Sequence, residues 1–122
     1  MQVSVGKSDF VWQIIKREAS MSSFENVTVA KKANIFFDGK CVSHTVTLPC
    51  GTRKSCGVIL PSTLRFDLTT KEIMEVVDGT AFVVVNGEEE KTFGPGESWE
   101  VQAGGYFVVR AESPLHYVCH FE

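Results

Sequence analysis

The stretch EIMEVVDGTAFVVVNGEEEKTFGPGESWEV, residues 72–101, decides the fold class. Runs rich in valine, isoleucine and phenylalanine alternate with short groups of turn-forming residues, which is typical of consecutive β-strands. Asp78-Gly79 and Asn86-Gly87 favour the positive φ that tight hairpins require, and Gly94-Pro95-Gly96 is a further chain break. The stretch therefore predicts strands joined by tight turns, with no helix between them.

The same pattern continues outward in both directions, from Asn26 to the end of the chain. Asp38-Gly39 and Gly104-Gly105 add further turns, and residues 115–121 alternate between two faces with a period of two. The predicted strands are 35–37, 42–48, 55–60, 64–68, 73–77, 81–85, 89–93, 98–101, 106–111 and 115–121. Many short strands with almost no helix predict an all-β sandwich or barrel.

Residues 1–24 differ from the rest of the chain. Apolar residues recur at helical spacing after Ser8, a candidate N-cap, at Phe10, Val11, Ile14 and Ile15. We therefore expect an N-terminal extension over residues 1–24, as a short helix or partly disordered, and one domain over residues 25–122. The barrel-like pattern begins only after Met21, so residues 1–20 are interpreted either as an extension or as the product of an upstream start.

Composition narrows the class of protein. The chain has 122 residues, 43% of them hydrophobic and 22% charged, which suits one globular domain. Its formal net charge of −3 argues against nonspecific binding to nucleic acid, and no apolar run reaches the ~18 residues of a membrane helix. The four cysteines form no CxxC motif and are interpreted as small buried residues, and the polar N-terminus is not a secretory signal. We expect a cytoplasmic protein with reduced thiols and no nucleic-acid or membrane partner.

One loose pattern resembles the first signature of metal-binding cupins, G-x5-H-x-H-x3,4-E-x6-G. Glu72 is followed by six residues and then Gly79, as that signature demands. Counting back from Glu72, the two histidine positions fall on Phe66 and Leu68. The glutamate position is therefore kept while both histidines are replaced by apolar residues.

The second cupin signature, G-x5-P-x-G-x2-H-x3-N, is matched in the same partial way from Gly96, and its histidine position falls on Phe107. The four positions that bind the metal in such cupins are therefore occupied here by Phe66, Leu68, Glu72 and Phe107. One carboxylate and three apolar groups cannot hold a divalent first-row metal, which needs several N, O or S donors. These patterns and the succession of strands and turns predict a single cupin barrel (a double-stranded β-helix, or jelly roll) without a metal.

The histidines offer no replacement site. On one strand His116 and His120 lie about 13 Å apart, too far to share an ion. His44 stands alone on its predicted strand. We interpret all three as surface or strand-filling residues.

The segment GTRKSCGVILP, residues 51–61, concentrates polar groups at a strand start. The planar guanidinium of Arg53 and the hydroxyl of Ser55 suit a phosphate group. Arg53 and Lys54 form a short basic pair at a loop edge, which is also typical of solvated surface. Lys40 is likewise either a phosphate ligand or a solvated surface residue. Phe66 and Phe107 fill the core or form an apolar wall against which a flat ring stacks.

Seven segments together resemble the pyrimidine/purine nucleoside phosphorylase family, small one-domain cupins of bacteria. They are FENVTV, FFDGKCVSHTV, GTRKSCGVILP, LRFDL, EIMEVVDGTAFVVV, FGPGESWEV and LHYVCHFE, in the family's order and spacing. They cover roughly residues 24–122. Residues 1–20 lie outside the usual family length, and residues 102–105 stand where family members carry a proline-glycine turn.

The resemblance implies phosphorolysis: a nucleoside and inorganic phosphate give a free base and α-D-ribose 1-phosphate, with broad specificity and no metal or other cofactor. It implies that Arg53 and Ser55 hold phosphate, with Lys40 as a further candidate, and that Glu72 accepts hydrogen bonds from ribose hydroxyls. It also implies that the base is faced by Phe66, Phe107 and Tyr106.

Several alternatives stay open at this point. Glu72 is either a ribose ligand or the partner of a Lys or Arg at the barrel mouth. The chain is either a phosphorylase or a non-catalytic module that binds an anionic metabolite, while a metal-dependent oxygenase or isomerase is disfavoured by the missing ligands. Because exposed edge strands must be covered or paired, we also expect a homodimer.

Overall fold

The structure is a computed structural model, and it describes residues 23–121. The predicted N-terminal helix falls within residues 1–22, outside the described residues. The described part consists of strands with one three-residue 3-10 turn, Phe37–Gly39. The strands are β1 (Thr28–Val29), β2 (Asn34–Phe36), β3 (Cys41–Thr47), β4 (Arg53–Ile59), β5 (Ser62–Asp67), β6 (Glu72–Asp78), β7 (Ala81–Val85), β8 (Lys91–Phe93), β9 (Ser98–Val101), β10 (Tyr106–Ala111) and β11 (Leu115–Phe121).

Two antiparallel sheets enclose the core. The larger sheet has the order β1-β3-β4-β11-β6-β9, with β2 also paired to β3, and the smaller sheet has the order β5-β10-β7-β8. Alternate residues of each strand face inward, so Ile59, Val76, Val83, Phe107 and Leu115 are almost completely buried between the sheets. The all-β prediction is confirmed. No helix among residues 23–121 is long and apolar enough to cross a membrane.

The predicted strands are found with small shifts at their ends, and β1 is the strand that the sequence did not predict. Two predicted hairpin turns are present: Asp38 and Gly39 join β2 to β3, and Asn86 and Gly87 join β7 to β8, all four with positive φ. The prediction of a hairpin at Asp78-Gly79 is wrong, because β6 and β7 belong to different sheets. Gly79 has a φ of 91°, and its turn carries the chain from one sheet to the other.

Candidate functional site

Two hollows in the described part of the chain are candidate binding sites. An inner cavity of about 580 Å³ lies between the sheets, and an outer groove of about 670 Å³ lies on the outside of the larger sheet. Four residues that the sequence singled out line the inner cavity: Ser55, Phe66, Glu72 and Phe107. The outer groove is larger but holds none of them. The inner cavity is therefore the candidate site.

One wall of the inner cavity is a band of small polar groups on adjacent strands. The register places Thr45 of β3 opposite Ser55 of β4, and Ser55 opposite Cys119 of β11. One row deeper, the buried Ser43 shares the wall with Tyr117. The amide nitrogen of Asn34 donates to the hydroxyls of Ser43 (3.4 Å) and Thr45 (3.3 Å). This wall presents neutral hydroxyl, amide and thiol groups to the cavity.

Glu72 lies at the start of β6 and adds a carboxylate to this wall. Its side chain is half-buried, and the Cys119 thiol donates a hydrogen bond to its Oε1 (3.2 Å). Burial raises the pKa of the Glu72 carboxyl above its ordinary value, and the bond from Cys119 offsets part of the rise. Glu72 takes part in none of the ion pairs within the described residues, so the mouth ion pair considered from the sequence is not found there.

Arg53 begins β4, two residues before Ser55, and therefore has the same strand phase as Ser55. It is exposed and lies beyond the cavity lining. Phe121 pairs with Glu72, and extending the β4–β11 register by one residue sets Arg53 opposite Phe121. Two strand spacings of about 4.8 Å then separate the backbones of Arg53 and Glu72 by about 10 Å. The structure thus brings Arg53, Ser55 and Glu72 to one face of the larger sheet.

Lys40 is not brought together with these residues. Its carbonyl oxygen accepts a hydrogen bond from the amide of Leu60, at the far end of β4 from Arg53. The five residue steps from Ser55 to Leu60 span about 17 Å of strand. A phosphate ion held at Ser55 is therefore out of reach of Lys40.

The opposite wall of the inner cavity is aromatic. Phe66 of β5 and Phe107 of β10 pair in register and stack with ring centroids 5.0 Å apart. Tyr106 is not part of this wall, because adjacent residues of a strand face opposite sides of the sheet. Its ring lies under the guanidinium of Arg65, 3.9 Å from the ring centroid. Of the three aromatics expected to face the base, Phe66 and Phe107 line the cavity and Tyr106 does not.

The sequence did not single out several further cavity residues. They are Asn34, Phe36, Phe37, Ser43, Thr45, Tyr117, Cys119 and Phe121. The alternation of β11 placed Tyr117, Cys119 and Phe121 on one face, which was the available signal for those three. Nothing in the sequence showed which face of β11 meets a cavity.

The three histidines lie on or near the outer face of the larger sheet, as expected of structural residues. His120 Nε2 is 2.8 Å from Glu75, and its Nδ1 is 2.7 Å from the Lys54 ammonium group. His44 Nδ1 is 3.0 Å from the carbonyl oxygen of Ala30, and His116 is exposed. No three His, Cys, Asp or Glu side chains within residues 23–121 are grouped so as to hold a metal ion.

The four cysteines are free thiols. Cys41 and Cys119 are buried, as expected of small core residues, and burial raises the pKa of both. Cys56 is half-buried, and Cys50 is exposed, so the interpretation as a core residue does not hold for Cys50.

The sequence profile of pyrimidine/purine nucleoside phosphorylase matches residues 31–121 of the chain. The chain belongs to the pyrimidine/purine nucleoside phosphorylase family. A relative from Dechloromonas aromatica with that name is 54% identical over 102 residues, covering 83% of this chain and 99% of the relative. The family resemblance predicted from the sequence is therefore confirmed.

Solved structures show that this nucleoside phosphorylase family member has a cupin-like fold. A protein of unknown function from Acinetobacter sp. ADP1 is 39% identical, with a TM-score of 0.80, covering 83% of this chain and 99% of that one. An RmlC-like cupin from Shewanella frigidimarina is 13% identical, with a TM-score of 0.62, over 83% of this chain and 93% of that one. The latter similarity concerns the fold alone, and it confirms the predicted cupin barrel.

Proposed function

We propose that this chain catalyses the metal-independent phosphorolysis of purine and pyrimidine nucleosides, releasing free base and α-D-ribose 1-phosphate. The observation that carries the proposal is the composition of the inner cavity, where a stacked aromatic pair faces a carboxylate and a band of hydroxyls. A nucleoside has the same division between a flat base and a hydroxylated sugar. The activity is that of a pentosyltransferase, and it agrees with the name of the curated relatives.

The base lies in this proposal against Phe66 and Phe107. Aromatic rings bind any flat heterocycle through its π-face, so they do not distinguish one base from another by hydrogen bonds. The charged groups nearest this wall, Arg65 and Asp67, pair with each other at 3.0 Å and are exposed. A wall that contacts the face of the base, and not its hydrogen-bonding edge, supports broad specificity for purines and pyrimidines.

The sugar lies in this proposal against Glu72. Breaking the C1′–N bond passes through an oxocarbenium-like transition state, in which positive charge develops on the ribose. The Glu72 carboxylate has a thiol as its hydrogen-bond donor and no cation partner in the described residues, so it has acceptor capacity for ribose hydroxyls. Its negative charge also favours the cationic transition state over the neutral nucleoside.

Inorganic phosphate lies in this proposal between Arg53 and Ser55. The Arg53 guanidinium supplies two parallel donors and Ser55 supplies a hydroxyl. A phosphate oxygen forms the new bond to C1′ as the C1′–N bond breaks, and the proton of hydrogen phosphate balances the one taken up by the departing base. Holding phosphate beside the anomeric carbon lowers the barrier by positioning. Arginine supplies the positive charge that a metal provides in other enzymes of phosphate chemistry.

Phosphate-dependent release of base tests the proposal. Purified, chelator-treated protein is incubated with adenosine and with uridine, with and without inorganic phosphate, and free base is separated by chromatography. We expect base to appear from both nucleosides only when phosphate is present. Binding of nucleoside or phosphate without base release would indicate a non-catalytic binding module, and activity that needs added metal would contradict metal independence.

A further inference from the structure

The turn between β2 and β3 contains more backbone strain than a hairpin requires. Phe37, Asp38 and Gly39 have φ values of 53°, 53° and 91° in succession. A hairpin turn of this type needs positive φ at two residues, and the Asn86-Gly87 turn of the same chain has two. Positive φ is a marked outlier for a bulky residue such as phenylalanine. The third positive φ therefore serves a purpose other than closing the hairpin.

The side chain of Phe37 shows what that purpose is. Its ring lines the opening of the inner cavity and meets the ring of Phe66 edge to face, with centroids 5.2 Å apart. Phe66 in turn stacks on the buried Phe107, so three rings form a row from the core to the opening. Phe37 is 42% exposed, whereas Phe107 at the other end of the row is 1% exposed, so the outer ring keeps solvent-accessible surface at the opening. Positive φ at a bulky residue whose ring lies partly exposed at a cavity opening is characteristic of ligand-binding positions.

We propose that Phe37 is a substrate-contacting residue that closes the base end of the cavity by packing against the nucleobase. This inference rests on the proposed function and adds a third aromatic contact that the sequence did not reveal. Phe37 contacts the base in this arrangement and neither the ribose nor the phosphate. It therefore determines the affinity for nucleosides and free bases, and not the affinity for ribose 1-phosphate.

Substitution of Phe37 separates these affinities. We expect Phe37→Ala to weaken adenosine and uridine binding about 10- to 100-fold, the usual effect of removing one aromatic–base contact. Phe37→Tyr keeps the ring and is expected to bind within about threefold of wild type. In the synthetic direction, the KM for adenine should rise by the same factor in Phe37→Ala, while the KM for ribose 1-phosphate stays unchanged.

Ile35→Ala is the matched control, because Ile35 lies on the same hairpin, is 66% exposed and does not line the cavity. Phe37→Gly controls for the backbone, since glycine adopts positive φ without strain. We expect Phe37→Gly to melt above Phe37→Ala yet to bind adenosine equally weakly. Wild-type adenosine affinity in Phe37→Gly would show that the ring makes no contact with the base, and would overturn the inference.

The remaining outcomes distinguish this inference from the proposed function. If the wild-type protein releases base with phosphate and Phe37→Ala does so with an unchanged KM for nucleosides, the role of Phe37 is overturned while the proposed function stands. An equal loss in Ile35→Ala, or an equal rise in the KM for ribose 1-phosphate, also overturns it. Wild-type protein that binds adenosine but releases no base contradicts the proposed function. In that case the affinity of Phe37→Ala for adenosine, measured by calorimetry and compared with that of the wild type, tests the contact between Phe37 and the base without any catalysis.

Discussion

Among the charged side chains that line the inner cavity, Glu72 is set apart by its surroundings. Arg65 and Asp67 are exposed at the rim and neutralise each other, whereas Glu72 is half-buried against a thiol. Burying a carboxylate without a cation costs stability, and such a cost is typical of positions kept for function. The chemistry proposed for this protein therefore depends most on this one residue.

Glu72→Gln is expected to lower nucleoside turnover about 10- to 100-fold, because hydrogen bonds to a charged group contribute about 1.5–3 kcal/mol. The raised pKa of Glu72 means that its contribution to stability is fully present below the unfolded pKa and is lost as the pH rises through the folded pKa. The glutamine variant should therefore melt no lower than wild type at pH 7, with the difference shrinking toward about pH 4. A lower melting temperature with unchanged turnover would instead identify Glu72 as a structural residue.

Arg53 and Lys54 are adjacent cations with opposite strand phases, which makes them a matched pair. Arg53 has the phase of Ser55, whereas Lys54 contacts His120 on the outer face. We expect Arg53→Ala and Arg53→Lys each to raise the phosphate KM and to lower kcat/KM about 10²-fold, because lysine lacks the planar fork. Lys54→Ala should leave both values near wild type. Steady-state kinetics with varied phosphate provides the comparison, and normal phosphate kinetics in Arg53→Ala would remove Arg53 from the site.

For the individual strands, the local sequence pattern predicted much of the site. The cupin ligand positions in the sequence drew attention to Phe66, Glu72 and Phe107, and the structure places all three in the cavity lining. Strand alternation excludes Tyr106 from the face of Phe107, and the prediction for Tyr106 overlooked this. Which strands pair is a non-local property, so neither the sheet change after Asp78 nor the distance of Lys40 from Ser55 was visible in the sequence.

The pairing of β4 with β11 depends on one glycine. Gly57 lies opposite Tyr117, and a Cβ at Gly57 would come within 2.6 Å of the Tyr117 hydroxyl and 2.7 Å of its ring. Because Tyr117 is buried and its hydroxyl contacts the Cys41 thiol, the ring has little room to move. Gly57→Ala should reduce the free energy of unfolding by about 1–3 kcal/mol in urea titrations.

The control for this substitution is Gly94→Ala. A Cβ at Gly94 would meet only the Glu97 carboxylate, at 3.7 Å, so we expect a change within about 0.5 kcal/mol. Equal stability of Gly57→Ala and wild type would show that Tyr117 is free to shift, and that the polar wall beside it is less rigid than the structure indicates.

At the scale of the whole molecule, both sheets end in strands with an unpaired edge within the described residues. These are β1, β2 and β9 of the larger sheet and β5 and β8 of the smaller one. Unpaired edges favour association, and two-fold dimers are the commonest assembly. We expect light scattering at micromolar concentration to give twice the chain mass of 13.5 kDa. A single-chain mass under those conditions would contradict the expected homodimer.

In the proposed reaction, phosphate breaks the C1′–N bond of a nucleoside within the inner cavity. ³¹P NMR of the reaction mixture, with adenosine as substrate and chelator present, tests it most directly. We expect inorganic phosphate to be converted to ribose 1-phosphate in a one-to-one ratio with the adenine released, and Glu72→Gln to slow both signals equally. Adenine released with free ribose and unchanged phosphate, or no adenine at all, would contradict it.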